Sequence, residues 1–295
     1  MVNCDVCSTF PLHDLLISHL NNQGLGTMLV KKTFEGGLDA TEFGNAICES
    51  KSLRLLHYTD KPENRVGDYI NAGVYAFSPK IFEHIERVRD AKASTGSRSC
   101  ETLSLKEYIR LDNDIFAPLA GHVADSTDQL FVHSLVGFWE QIKHPGIALK
   151  CSEEYLNQYR EIEPDILTQN HIESPEIIGN VYIHESASVH KNAKIGPNVT
   201  IGSKVNIGAG ARLRDCIILD GVKICENAYV SRAIIGWNSK LGQWSRVEGA
   251  GSYSDRLGVT ILGEAVIIED EIIVSKCIVL PNKTITFAVR NDIIL

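Results

Sequence analysis

The chain has 295 residues, 44% of them hydrophobic and 22% charged, with a formal net charge of −8 and a pI near 5.7. That acidity excludes non-specific nucleic-acid binding, and the length accommodates two modest domains. No stretch approaches the roughly eighteen consecutive apolar residues of a membrane span, and Met1–Asp5 lacks the basic start of an export signal, so the cytoplasm is the expected compartment.

In chain order, Met1–Asp5 reads as the stub of a strand. Cys4 and Cys7 have the spacing of a zinc or redox half-site, but no second pair accompanies them. They read as small core residues at a strand end, and the eight scattered cysteines as reduced thiols. Pro11 opens a helix whose Leu12, Leu15, Leu16, Ile17, His19 and Leu20 keep mainly to one side, and Gly26–Val30 is the next strand. Strand–helix–strand is the unit of a parallel sheet with a right-handed crossover. Ile47–Cys48, Leu53–Tyr58 and Tyr69–Phe77 read as further strands. Ser78-Pro79 starts a helix to about Val88, and Asp90–Ser99 reads as a polar loop. Ser104–Leu119 is expected to be helical, Leu130–His133 a strand, and His144–Tyr159 a helix closing the domain. The expected division is an α/β domain over 1–160, a linker over 161–175 bracketing Pro164 and Pro175, and a second domain over 176–295.

The second domain carries the strongest signal. Ile177, Ile183, Val189, Ile195, Ile201, Ile207, Leu213 and Leu219 recur every six residues. Ala187, Ala193, Val199, Val205, Ala211 and Ile217 follow the same period, and Gly196, Gly202 and Gly208 each follow a member of the main set. Neither a helix nor a single strand has this period, whereas short strands joined by tight corners do. The spacing predicts a parallel β-helix. The step shortens to five between Leu219 and Ile224 and between Val230 and Ile235. Glu248–Gly258 breaks out as a polar loop, after which Leu262, Ile268, Val274 and Leu280 resume, shadowed by Val266, Ile272 and Ile278. Each coil of such a solenoid needs its neighbours, leaving the outward positions free for partners.

Four short constellations offer chemistry: Asn3-Cys4-Asp5, Asp60-Lys61-Pro62, Asn71-Ala72-Gly73 and Phe138-Trp139-Glu140-Gln141. Asp5, at the carboxyl end of an early strand, suits Mg²⁺ held against phosphate oxygens. Lys61 suits a phosphate as a point charge, and Asn71 with the Gly73 backbone suits sugar hydroxyls. Singly, each is equally a turn residue or a solvated loop; the case rests on all four in order beside a hexapeptide solenoid.

Together these segments resemble the sugar-nucleotide pyrophosphorylases, and among them the GDP-mannose pyrophosphorylase (mannose-1-phosphate guanylyltransferase) family, with the non-catalytic alpha-type subunit the best match. NCDVCSTFPL, HYTDKP, INAGVYAFSP, LDNDIFAPLAG, FWEQIK, GNVYIHESA, IGPNVTIG and VRNDIIL carry the resemblance. It implies an α/β plus all-β chain: a partial Rossmann-like nucleotidyltransferase domain followed by a left-handed parallel β-helix of hexapeptide repeats. It also implies that Asp5 is the metal-binding Asp, that Lys61 meets the sugar phosphate, and that Gly44 and Asn71 contact the sugar. Asp60 stands where the family motif has Glu.

Two departures weigh against catalysis. The family's glycine-rich loop, which cradles the triphosphate through backbone N–H groups, should precede Asn3 by roughly a hundred residues, so a short form or an incomplete gene model is expected. Such a form would leave an unpaired sheet edge near Met1–Asp5. Secondly, Gln141 stands where active members carry the second metal carboxylate, with Lys143 in place of Gly. Losing one preorganised electrostatic group costs about 10²–10³ in rate. The leading expectation is therefore a regulatory or scaffolding alpha-type subunit, inactive alone, bound to a catalytic beta-type subunit in a hetero- or homo-oligomer through its β-helix. GDP-mannose is a candidate ligand and Glu248–Gly258 a candidate contact. The alternative is an active enzyme using Mg²⁺ to make GDP-mannose from mannose 1-phosphate and GTP. A third reading is a hexapeptide acyltransferase, with His184 and His190 stacked on adjacent coils as general bases.

Overall fold

A computed structural model describes every residue except 34–39, 96–107, 122–127, 171–173, 254 and 256–257. Its contacts separate Met1–Trp139 from Glu140–Leu295.

The first unit runs β1 (Val6–Ser8), α1 (Leu12–Asn22), β2 (Gly26–Lys32), β3 (Asn45–Cys48), β4 (Leu55–Thr59), β5 (Tyr69–Phe77) and α2 (Ile81–Thr95). A π-helical turn (Leu111–Phe116), the short α3 (Ala117–Leu119) and β6 (Leu130–Ser134) complete it. Five strands form one sheet in the order β4-β3-β5-β2-β6. β6 is parallel to β2, but β5 runs antiparallel to both β2 and β3. Alternation along the central strands sends side chains to opposite layers. Leu29, Ile70, Ala72 and Val74 pack with Leu15 of α1 and Trp139, while Met28, Val30, Tyr58 and Tyr75 pack with Ile81, Ile115 and Phe116.

Several expectations change here. The first strand is Val6–Ser8 rather than Met1–Asp5, where Val2 makes only an isolated bridge to Val74, and β1 is not in the sheet that contains β2. The crossover unit predicted around α1 is therefore absent from that sheet: α1 covers one face, but the strand before it is not a neighbour of the strand after it. α2 continues to Thr95, taking in half of the expected polar loop, because Arg89, Ala91, Lys92 and Ala93 after Val88 are good helix formers. Of the helix expected over Ser104–Leu119, the described part is helical only from Leu111; residues 104–107 lie outside the described set. Cys4 is exposed rather than part of a core.

The second unit is a parallel β-solenoid of about seven turns, left-handed and of the hexapeptide kind. Its inward ladders are Ile177, Ile195, Leu213, Val230, Val247, Val274 and Val289 on the first face, and Ile201, Ile218, Ile235, Leu262 and Val279 on the second. Ile207, Ile224, Leu241, Ile268 and Ile285 make the third. Most of these side chains are fully buried, each worth about 1.5–3 kcal/mol of transfer free energy.

The first shortened step lies one repeat earlier than expected, from Leu213 to Ile218, so that Cys216 rather than Ile217 points inward. The step from Val230 to Ile235 stands as expected. A third, unexpected one runs from Val274 to Val279, leaving Leu280 40% exposed and putting Cys277 rather than Ile278 inside. Each shortened step contains one non-glycine residue in the left-handed region: Asp215, Arg232 and Lys276.

The second face is covered on its first coils by α4 (Pro145–Ile162), whose Leu149 and Leu156, two turns apart, are buried. Ser152 Oγ lies 2.9 Å from Thr200 Oγ1, Asn198 Nδ2 donates to Glu153 at 3.0 Å, and Arg160 Nη2 donates to the Gly179 carbonyl at 2.9 Å. The first coil is closed by Leu167, 2% exposed, and by Asn170, whose amide both donates to and accepts from the Ile177 backbone.

Candidate functional site

The polar centre of the first unit is built where β5 bulges. Gly73 has φ +75°, and a side chain there would meet Asn3 and Val6 within 3 Å, so only glycine lets the N-terminal turn approach. The Asn3 amide donates to the Gly73 carbonyl at 2.8 Å, and the Val6 amide donates to the Asn3 carbonyl, closing a turn around Asp5. Beside it, buried Asn45 holds the preceding loop by donating to the carbonyls of Ala40 (2.7 Å) and Phe43 (3.0 Å). That brings Gly44 against β5, where its carbonyl accepts the Asn71 amide at 2.8 Å.

Asn71 is fully engaged. Its Nδ2 donates to the Tyr75 hydroxyl at 2.9 Å and the Tyr58 hydroxyl at 3.0 Å, with Asp112 Oδ1 further off at 3.4 Å. Its Oδ1 accepts the Gly73 amide at 2.9 Å. Tyr58 donates in turn to the Asp112 carboxylate. Burial, and then the Asp112 charge, push the Tyr58 phenol far above its ordinary range. Burial likewise raises Tyr75 and outweighs the hydrogen bonds from Asn71 and Asn3 that lower it, with lesser upward contributions from Asp112 and Asp5. Both phenols therefore stay neutral and act as donors at any working pH. A methyl group on Gly44 would stand 2.0 Å from the Tyr58 hydroxyl.

The structure thus brings Gly44, Asn71 and the turn bearing Asp5 around one network. Asp60 and Lys61 follow β4 in a loop, Lys61 exposed with φ 44°, and neither makes a hydrogen bond or ion pair among the described residues. Gln141 is half-buried in the second unit, where its carbonyl accepts the Lys143 amide at 2.9 Å and the neighbouring Glu140 pairs with Lys150. Tyr58, Tyr75 and Asp112 were not singled out from sequence, although HYTDKP, INAGVYAFSP and LDNDIFAPLAG contain them. No three His, Cys, Asp or Glu side chains converge on a metal-sized site among the described residues.

His184 and His190 do not stack. Six residues advance the chain by one side of a coil, so the two sit at successive corners of the same turn, their amides donating to Ile201 and Ile207 of the next coil. Each ring Nδ1 is used locally, His184 with Ser186 and His190 with the Asn192 amide. In the loop after Glu248, Arg232 places its guanidinium 4.6 Å over the Tyr253 ring and donates to the Gly251 carbonyl. No helix among the described residues is long and apolar enough to cross a membrane.

Comparison with known proteins adds the following. Residues 177–294 match the family described as "GMPPB C-terminal domain". The chain is 41% identical, over its whole length and 72% of the relative's, to the mannose-1-phosphate guanylyltransferase regulatory subunit alpha of Dictyostelium discoideum. It is 38% identical to regulatory subunit alpha-B of Danio rerio, covering all of this chain and 74% of that one. With the probable mannose-1-phosphate guanyltransferase of Schizosaccharomyces pombe the identity is 33%, over all of this chain and 73% of the relative.

Proposed function

The chain belongs to the mannose-1-phosphate guanylyltransferase family, and on that premise we propose that it serves GDP-mannose synthesis as a regulatory alpha-type subunit docked to a catalytic beta-type partner. The observation that carries this reading is the state of Asn71. Its amide protons go to Tyr58 and Tyr75 and its oxygen already accepts the Gly73 amide, so the side chain braces β5 and has no donor left for a sugar hydroxyl. Mg²⁺ is held through one or two carboxylates together with phosphate oxygens. Asp5 by itself is a thin donor set, and neutral Gln141 adds no charge. The names of the relatives support the same reading. In it, the β-helix supplies the assembly surface, GDP-mannose is the ligand whose level the complex senses, and the complex works in the cytoplasm.

A pyrophosphate-release assay with mannose 1-phosphate, GTP and Mg²⁺ tests this. The purified chain should show no turnover, while its addition to the catalytic subunit should change that subunit's rate or its sensitivity to GDP-mannose. Turnover by the chain alone would restore the enzyme reading.

A further inference from the structure

The three faces of the solenoid differ in how their outward side chains are satisfied. On the first, Glu176 pairs with Lys194 at 2.6 Å, and Arg246 lies over the Tyr229 ring and pairs with Glu248. The second carries α4 on Thr200 and its neighbours. The third is bare. Its outward ladder, in strict register, reads Ser188, Asn206, Lys223, Lys240, Ile267 and Thr284, all exposed.

Lys223 and Lys240 are directly opposed on adjacent parallel strands, a spacing of about 4.8 Å. Neither ammonium has a hydrogen bond or ion pair among the described residues. Like charges so placed repel, and no described residue forms an ion pair with either. The corners bounding Lys240's own coil hold Trp237, 52% exposed, and Trp244, 62% exposed. The third tryptophan, Trp139, is 4% exposed, so two of three large indoles lie in water on either side of this one lysine. At the corners Asp220 and Asp270 accept the Ser203 and Gln243 amides at 2.7 Å, and Glu264 precedes Ala265, whose amide donates to the Trp237 carbonyl; none of the three pairs with either lysine among the described residues. Glu226, Glu269 and Glu271 sit at or beside the corner shared with the first face.

We infer that this third face, centred on Lys240 between Trp237 and Trp244, is the docking surface for an acidic face of the catalytic partner chain. Exposed tryptophans are the side chains that most often anchor an interface, and unneutralised lysines between them select carboxylates. A second copy of this chain fits poorly, since a two-fold axis through the face would set the lysine ladders against each other. The inference rests on the regulatory reading and specifies where that subunit binds.

The test measures affinity of the full chain for the purified catalytic subunit by titration calorimetry. Three variants are compared with the unaltered chain: Lys223→Glu with Lys240→Glu, Trp237→Ser with Trp244→Ser, and the first-face control Arg212→Glu. All sites are exposed, and thermal melting confirms folding. The lysine and tryptophan pairs should each weaken binding by about tenfold or more. Unaltered-chain affinity should fall between about 0.05 and 0.5 M salt, and the control should bind normally. Normal binding by both pairs overturns the third face while leaving the regulatory role intact. Self-association of the chain, abolished by the tryptophan pair, overturns the choice of partner. No binding by the unaltered chain overturns the regulatory reading and this inference with it.

Discussion

Asp215 stands opposite Arg232 on adjacent coils, between the paired Arg214/Ser231 and Cys216/Ala233, and both have left-handed backbone, φ 44° and 49°. Each follows the last inward residue, Leu213 or Val230, by two positions, whereas on a six-residue side the left-handed residue follows by three (Asn198 after Ile195), and that earlier turn is how a side shrinks to five without breaking the ladder. Asn198 occupies the same corner one coil earlier, φ 56°, and donates to Asp215 at 3.3 Å. Lys276, φ 53°, repeats the device later, and among the described residues its hydrogen bond runs from the backbone amide to the Glu248 carbonyl at 3.0 Å. Lys276→Gly should therefore raise stability by up to about 1 kcal/mol, read as a higher thermal midpoint, because a left-handed L-residue costs about that much. Lys276→Val should lower it. A lower midpoint for the glycine variant would show that the corner is not strained.

These corners also explain what was legible in the sequence. The period of six is written in aliphatic residues and marks the solenoid at once. The shortened steps were misplaced where Ile217-Ile218-Leu219 and Ile278-Val279-Leu280 offer equally apolar registers side by side. Only backbone conformation at Asp215 and Lys276 decides between them, and a charged residue in the left-handed region leaves no apolar trace. In the first unit, Asn71 and Gly44 were visible as motif residues. Tyr58, Tyr75 and Asp112 were not, because β4, β5 and the Leu111–Phe116 turn meet only through antiparallel pairing and packing remote in sequence.

Asn170 closes the first coil. Its Oδ1 accepts the Ile177 amide at 2.8 Å and its Nδ2 donates to the Ile177 carbonyl at 2.9 Å, satisfying an otherwise open strand edge. Asn170→Ala should cost about 1–2 kcal/mol, two hydrogen bonds' worth, and should be felt locally. Native-state hydrogen exchange should speed up at Ile177, with the ladder beyond Leu213 unchanged. Equal protection in the variant would mean that Leu167 alone caps the coil.

Lys92 and Asp114 give the first unit an acid-sensitive contact. Partial burial works to raise the Asp114 carboxyl, but Lys92 at 2.6 Å and the Arg110 amide at 2.7 Å outweigh it and hold the group below its usual value. A depressed carboxyl contributes stability that is complete above its unfolded value, near pH 4, and is lost as pH falls through the lower folded value. Asp114→Asn should lower stability at neutral pH and flatten the acid limb of the stability curve below about pH 4. A limb as steep as that of the unaltered protein would place the acid sensitivity elsewhere.

Gly44 tests whether the Asn71 network is a brace or a sugar site. A methyl group there would lie 2.0 Å from the Tyr58 hydroxyl, forcing that ring off Asp112 and Asn71. Overpacking of this kind costs about 1–3 kcal/mol. Tyr58→Phe removes the worst contact and leaves the ring Cζ, at 2.7 Å, as the nearest, so Gly44→Ala should cost less in the Tyr58→Phe background than in the unaltered chain. Such non-additivity is the signature of two groups in contact. Asn71→Ala should then reduce stability by about 1–3 kcal/mol, since it leaves the Gly73 amide unpaired, without altering the rate of a bound catalytic subunit. If Asn71→Ala instead left stability unchanged and abolished binding of mannose 1-phosphate, the side chain would be reading a sugar after all, and the regulatory reading would lose the residue it stands on.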